Sequence, residues 1–317
     1  MMHRGVVICA YTMERWGLLE RAVASVERQD VPCELAIVID HNDELFVRCR
    51  ARWPAHVVLT NRFGQGLSGA RNSGVGAIAA ADVVAFLDDD AQASPDWLRT
   101  LTAPFENATV GLVGGHVEPE WALAQPAWFP PEFLWVVGCS YVGLPDVAGD
   151  VRNPIGASMA VRRTVFDDVG LFVHGIGRIG LVPLGCEETE LSIRAGRSGY
   201  RVRYEPSSRV RHHVPASRAT VRYFVRRCYA EGISKAVVAR SVGSGAALET
   251  ERRYVTRTLP LGAFRSLNPW GPGSFLQAAM IVSGCAAAGS GYVVGSMRRG
   301  QLAGSADACV LGAQEAA

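Results

Sequence analysis

The sequence predicts an α/β fold on a mostly parallel, doubly wound sheet, extended by helices towards its C-terminal end. Three observations carry this. Short apolar runs alternate with amphipathic segments of helical period over the first hundred residues. The runs are nearly continuous Val, Ile, Leu and Ala, as strands buried on both faces require. Each run ends in polar residues, as Val83-Val84-Ala85-Phe86-Leu87 does at Asp88-Asp89-Asp90. In open parallel sheets, ligands bind at these carboxyl ends.

The elements follow in order. Gly5–Ala10 is the first strand, ending at Tyr11-Thr12, and Leu18, Leu19, Ala22, Val23 and Val26 mark the helix after it. Leu35–Ile39 is a second strand, closed by Asp40-His41-Asn42-Asp43. Val57–Leu59 leads into the glycine-rich loop Asn61–Asn72, which opens a small-residue helix over about 70–81. Backbone N–H groups at a helix start favour phosphate, and Arg71 adds a forked donor. No Gly-Lys-Ser/Thr follows, so this is not a Walker loop.

The acidic strand end comes next. A buried, unpaired carboxylate is costly, so three in succession need a cation or a solvated cleft. Hard oxygen donors suit Mg²⁺ or Mn²⁺, which commonly bridge to substrate phosphates. A solvated acidic turn capping the next helix is the competing reading. Ser94-Pro95 predicts the N-cap and first position of a helix running through Phe105.

Val110–Val113 is a further strand, followed by an irregular stretch from Gly114 to Arg152. Its aromatics, among them Trp121, Trp128 and Trp135, either line a sugar or acceptor pocket or cover one edge of the sheet. Asn153–Val161 returns to the sheet, with Asn153 and Gly156 assigned to the same pocket. A glycine-rich segment, 175–185, then reaches Glu187-Glu188-Thr189-Glu190 at the start of a helix. Dipole complementarity and an (i, i+4) pair with Arg194 account for Glu190. They account less well for Glu187 and Glu188, which stand at the mouth of the loop. Arg201–Tyr204 and Ser208–Arg211 read as short edge strands ending in His212-His213, and strand alternation turns one of the two histidines into the cleft.

Composition sets the bounds. The 317 residues allow one large domain or a domain with an extension, and 49% hydrophobic with 20% charged residues is globular. The net charge of +2 hides an asymmetry: residues 1–196 hold 15 Arg against 24 Asp and Glu, whereas 197–265 hold 15 Arg and Lys against 4 Glu. The first part is suited to a cation and the second to anions. Eight scattered cysteines without a Cys-x-x-Cys pair indicate neither zinc nor a disulfide framework, and a reducing compartment is expected. Met1–Tyr11 carries too short an apolar run for a signal peptide.

The tail begins with a basic amphipathic helix over 218–241, carrying Arg222, Arg226, Arg227 and Lys235. It fits an anionic membrane surface, a phosphate-bearing acceptor, or plain packing on the domain. Residues 274–295 are uncharged and about long enough to span a bilayer. Their glycines and serines favour a membrane-associated or oligomer-packing helix over a span. The small, polar segment 301–317 is expected to be disordered.

Taken together, Val-Val-Ile-Cys-Ala-Tyr11, the strand ending in Asp40, Gly-Ala-Arg71-Asn72, Phe-Leu-Asp88-Asp89-Asp90-Ala, Ser-Pro-Asp-Trp-Leu, Gly-Cys-Glu187-Glu188-Thr-Glu and Val-Arg-His212-His213 resemble family-2 glycosyltransferases of the GT-A fold, over roughly residues 5–240. The likeness is greatest to bacterial and archaeal enzymes that extend lipid-linked or cell-envelope glycans. It implies a Rossmann-like catalytic domain over 1–216 and a helical extension over 217–300. The implied reaction is inverting transfer of a hexose from a nucleotide-diphosphate sugar, expected to be a UDP-sugar, to a glycan or lipid-linked hydroxyl. Asp40 would bind the base, with Ala10, Tyr11 and Thr12 against the nucleoside. Arg71 would lie near the ribose or phosphates, and Asp88 and Asp89 against the donor. Asp90, Asp88 and His212 would hold Mn²⁺ or Mg²⁺. The acidic pair usually reads Glu-Asp and its second member is the general base, which assigns Glu188, with Glu187 the alternative.

The implied setting is the inner face of the cell membrane, with no nucleic-acid partner and an oligomer possible. Two rivals are a sugar-1-phosphate nucleotidyltransferase and a non-catalytic glycan-binding protein. The first wants a glycine-rich, Arg-containing loop after the first strand, which Ala10–Arg15 lacks; the second has no need of two acidic clusters.

Overall fold

The computed structural model describes residues 2–174, 176–177, 185–242, 254–267 and 275–297, so most of the glycine-rich segment 175–185 and the expected disordered tail 301–317 lie outside the described residues. The N-terminal half alternates as the apolar periodicity requires. β1 (Arg4–Ala10), β2 (Glu34–Ile39) and β3 (Val57–Thr60) are joined by α1 (Trp16–Glu27) and α2 (Asp43–Arg52). α3 (Leu67–Ala77) then crosses back to β4 (Val83–Asp88), which lies beside β1. These four strands are parallel, and Val6, Ile8, Ile37, Val38 and Val84 in them are fully buried. Successive connections leave β1 in opposite directions along the sheet, towards β2 and then β4. Their carboxyl ends therefore form the topological switch point at which such sheets bind ligands.

The other half is mixed. After β5 (Ala91–Ala93) come α4 (Trp97–Thr102), β6 (Val110–Trp121), β7 (Gly149–Asp150), β8 (Ser158–Arg162), α5 (Arg163–Val169), α6 (Glu187–Arg197) and β9 (Arg201–Val214). Among the described residues the strand order is β3-β2-β1-β4-β8-β6-β9-β5, with β7 also paired to β9. β8 is antiparallel to both β4 and β6, whereas β6 and β9 are parallel.

Several boundaries differ from expectation. β6 runs on through Gly114-Gly115, which the sequence reading took for a break, as far as Trp121. The two short edge strands expected near 201–211 are one strand, β9, kinked by an irregular register between Glu205 and Arg209 and flanked on both sides. α3 lies three residues earlier than expected, and Asp96, not Ser94, is the N-cap of α4.

The C-terminal region is helical: α7 (Val221–Val242), a π-helical turn over Tyr254–Thr258, α8 (Leu259–Leu267) and α9 (Phe275–Met297). Phe224, Cys228, Leu259, Met280 and Ile281 share one apolar core with β1 and β4. α9 is long and apolar enough to cross a membrane, but about 39% of its apolar window is buried within the protein. Its small residues explain the packing. A Cβ on Gly232 of α7 or Gly291 of α9 would fall inside the backbone of the opposite helix. Gly291→Leu is therefore expected to force the helices apart, at the ~1–3 kcal/mol typical of overpacking. Thermal unfolding checks this, and an unchanged melting temperature would contradict the packing.

Candidate active site

One cleft of about 1270 Å³ opens at the switch point. Its floor is set by strand ends. β1 delivers Ala10 and Tyr11, β2 delivers Asp40, and β4 delivers Asp88 with Asp89 and Asp90 in the turn to β5. The solvated-turn reading of this triplet does not hold. Asp89 and Asp90 are 4% and 5% exposed, so their charge must be met inside the protein.

Part of that charge is met by Arg15, which the sequence reading missed. Thr12 caps a 3-10 turn, its hydroxyl accepting the Glu14 N–H at 3.3 Å. The turn aims Arg15 Nη1 at Asp89 Oδ1 (2.9 Å) and Asp90 Oδ2 (3.0 Å). Burial and the neighbouring Asp90 still push the Asp89 carboxyl up to about 7, against the pull of Arg15. Asp90 goes the other way. Burial raises it, but His212, Arg15 and Arg218 together hold it well below the usual carboxylate range. Asp89 Oδ2 is buried without a hydrogen-bond partner among the described residues.

β9 supplies the imidazole, because strand alternation turns His212 inward. His212 Nε2 lies 3.0 Å from Asp90 Oδ1, and its Nδ1 faces the Cys139 thiol at 3.7 Å. His213 points the other way, and only its backbone N–H meets this turn, donating to the Asp90 carbonyl at 2.8 Å. Asp88, Asp90 and His212 each offer a ligand atom within 4.8 Å of the others. Two carboxylates and an imidazole, with an orphaned carboxylate oxygen beside them, fit a divalent cation such as Mn²⁺ or Mg²⁺.

The second acidic group stands across the cleft at the first turn of α6. Arg71, buried in α3, connects the two groups, with Nη1 2.9 Å from Glu187 Oε1 and Nη2 3.7 Å from Asp88 Oδ1. Nη2 also donates to the Gly156 carbonyl at 3.1 Å. A Cβ at Gly156 would stand 2.9 Å from that nitrogen, so a larger residue there would have to displace the guanidinium. Glu187 is tied to Arg71 through Oε1, its Oε2 has no hydrogen-bond partner among the described residues, and both it and the half-buried Glu188 line the cleft. Burial and the adjacent Glu187 push the Glu188 carboxyl up to about 8.

Other expected residues divide. Asn153 and Trp135 line the cleft; Thr12 does not, its hydroxyl being the cap just described. Asp40 lines it, but its oxygens already accept from Asn61 (2.7 Å) and the Gly66 N–H (3.0 Å), shaping the glycine-rich loop. Trp121 and Trp128 are not cleft residues. They pack edge-on or tilted against Phe129, and Trp128 also meets Phe224 of α7, so they belong to the apolar core. Arg227, Glu231 and Lys235 of α7 also line the cleft. Their i, i+4, i+8 spacing was the available signal.

Residues 5–170 match the family model described as Glycosyl transferase family 2. A glucosyl-dolichyl phosphate glucuronosyltransferase of Haloferax volcanii is 37% identical over 243 residues, which is 75% of this chain and 77% of that protein. The solved mannosyltransferase PcManGT from Pyrobaculum calidifontis, in complex with GDP-Man and Mn²⁺, aligns with a TM-score of 0.59 at 16% identity, over 96% of this chain and 88% of its own. The structure of GalNAc-T7 with UDP, GalNAc and Mn²⁺ aligns at 0.55 and 17% identity over 81% of this chain, which spans 58% of that one.

Proposed function

We infer, from the premise that this chain belongs to glycosyl transferase family 2 and is a glycosyltransferase of the GT-A fold, that it moves a hexose with inversion from a nucleoside-diphosphate sugar to a hydroxyl of a lipid-linked glycan. One observation carries the reading. A metal-competent trio and a separate carboxylate pair face the same cleft and are joined by the buried Arg71.

Inversion needs one carboxylate to take the acceptor proton on the face opposite the leaving group. Glu188 takes that role, because Glu187 is held by Arg71. Asp88, Asp90 and His212 would hold a divalent cation, whose chemistry would be to neutralise charge on the departing diphosphate. Tyr11 and the Asp40 loop receive the nucleoside. Arg15 keeps Asp89 and Asp90 in place. A thermal-shift series of UDP- and GDP-sugars, with and without Mn²⁺, tests the reading, since a ligand of the native state raises the melting temperature. We expect a UDP-sugar to stabilise most and only with the metal; equal shifts in chelator would overturn it.

The lipid-linked acceptor draws support from the Haloferax relative, whose name specifies a dolichyl phosphate substrate. With such an acceptor the enzyme would work at a membrane, and we assign it to the inner face. Phe264 of α8 and Phe275 of α9 are 75% and 72% exposed, and Arg222 and Arg226 are exposed on α7. Together they provide apolar and cationic contacts for an anionic bilayer. Truncation after Ser241 would strip Leu259, Met280 and Ile281 from the core, so point variants make the better test. Phe264→Ser with Phe275→Ser should reduce flotation with anionic liposomes. If the unaltered chain fails to float at low salt, the membrane assignment is wrong.

A further inference from the structure

We propose that α7 forms an acceptor subsite for a phosphate group, made by Arg227 and Lys235 beside Trp135. The inference rests on the transferase reading above and assigns its acceptor class. Three observations support it.

The first is position. The middle of α7 abuts the chain just before α6: the Gly185 N–H donates to Ser234 Oγ at 3.2 Å, and Cys186 Sγ lies 3.4 Å from Glu231 Oε1. Glu188 is two residues beyond Cys186, and the Glu231 charge acts on it. A hydroxyl presented to Glu188 therefore brings the next group of its molecule against α7.

The second is charge. Arg227 Nη1 and Lys235 Nζ share one carboxylate, Glu231, at 2.8 and 3.8 Å. Arg227 pulls the Glu231 carboxyl down to about 2 despite burial, so it stays ionised. Two cations thus flank one anion on this wall, and Arg257 and Arg265 line the same cleft from the turn before α8 and from α8 itself. A guanidinium has five donors, so one bond to Glu231 leaves Arg227 able to meet further oxygens. A guanidinium beside an ammonium matches a phosphate. Trp135 lies under both cations, with its ring centroid 5.8 and 6.0 Å away, and donates to Tyr254 Oη at 3.2 Å. It offers a flat surface for the sugar or the first carbons of a lipid.

The third is size. Small-molecule sites commonly occupy roughly 300–1,000 Å³, and this cleft exceeds that at about 1270 Å³. A donor on the acidic floor leaves space along the basic wall.

The test uses the full chain with Mn²⁺ and whichever nucleoside diphosphate raises its melting temperature, so that the donor diphosphate site is filled. Farnesyl phosphate, farnesol and inorganic phosphate are titrated calorimetrically. We expect farnesyl phosphate to bind and farnesol not to. Lys235→Gln, and separately the charge-balanced Arg227→Gln with Glu231→Gln, should each weaken binding roughly tenfold or more without altering the nucleotide-induced shift. Tight competition by inorganic phosphate would support the subsite and identify free phosphate, rather than lipid phosphate, as sufficient. Equal binding of farnesol, or unchanged affinity in both variants, would overturn the proposal. Absence of any nucleotide-induced shift in the unaltered chain would instead overturn the transferase reading beneath it.

Discussion

Asp90→Asn is expected to abolish metal-dependent turnover, by roughly 10²–10³-fold or more, the scale for removing one preorganised charge-stabilising group. The change deletes a charge and keeps the shape, so the turn between β4 and β5 should survive. Asp90 meets Arg15 at 3.0 Å, His212 at 3.0 Å and Arg218 at 3.9 Å, and it is buried. Without its charge, Asp88 and His212 cannot complete the donor set, and three cationic or imidazole groups face a neutral amide. The stabilisation by Mn²⁺ plus nucleotide should disappear along with activity. Circular dichroism and the melting temperature without ligand separate lost chemistry from lost fold. Full activity in excess chelator would refute the metal assignment.

Glu188→Gln should lower turnover by roughly 10²–10⁴-fold, the usual contribution of a positioned general base, with little change in donor affinity. Burial and the Glu187 charge lift the Glu188 carboxyl to about 8. The sign follows directly. A base acts only when deprotonated, so kcat/KM should rise with pH and level off above about 8, and Glu188→Gln should lose that limb. Glu187→Gln should behave differently. It takes the shortest ion pair from Arg71, which is 2% exposed, and breaking a buried pair typically costs about 3–5 kcal/mol. Its melting temperature should therefore fall further than that of Glu188→Gln. If Glu187→Gln is dead but fully stable while Glu188→Gln turns over normally, the base is Glu187.

The two readings of the C-terminal helices make a useful contrast. From sequence, the basic residues stand around the circumference of α7, which fits a membrane, an acceptor or plain packing. In the fold, Arg222 and Arg226 are exposed while Arg227 and Lys235 line the cleft. A helix distributes charges around its circumference, and only the packing of Phe224 and Cys228 on the core decides which side is inward. The aromatics divided for the same reason. Trp128 and Trp135 are seven residues apart, yet the first packs on the core aromatics Phe129 and Phe224 and the second lines the cleft.

What the sequence by itself determined is local: β1, β2 and β4, the carboxylates at their ends, the acidic first turn of α6, and that one of His212 and His213 faces the cleft. Apolar runs and polar strand ends are properties of adjacent residues, and strand alternation needs no knowledge of partners. Only the tertiary structure decided that β8 turns antiparallel between β4 and β6, because strand period carries no record of which neighbour will supply the hydrogen bonds. Only it could bring Arg15 to Asp89 and Asp90 across more than seventy residues and tie Glu187 to Arg71. Buried charges have to be paired to be tolerated, and which charge pairs with which is settled by the distances the fold imposes.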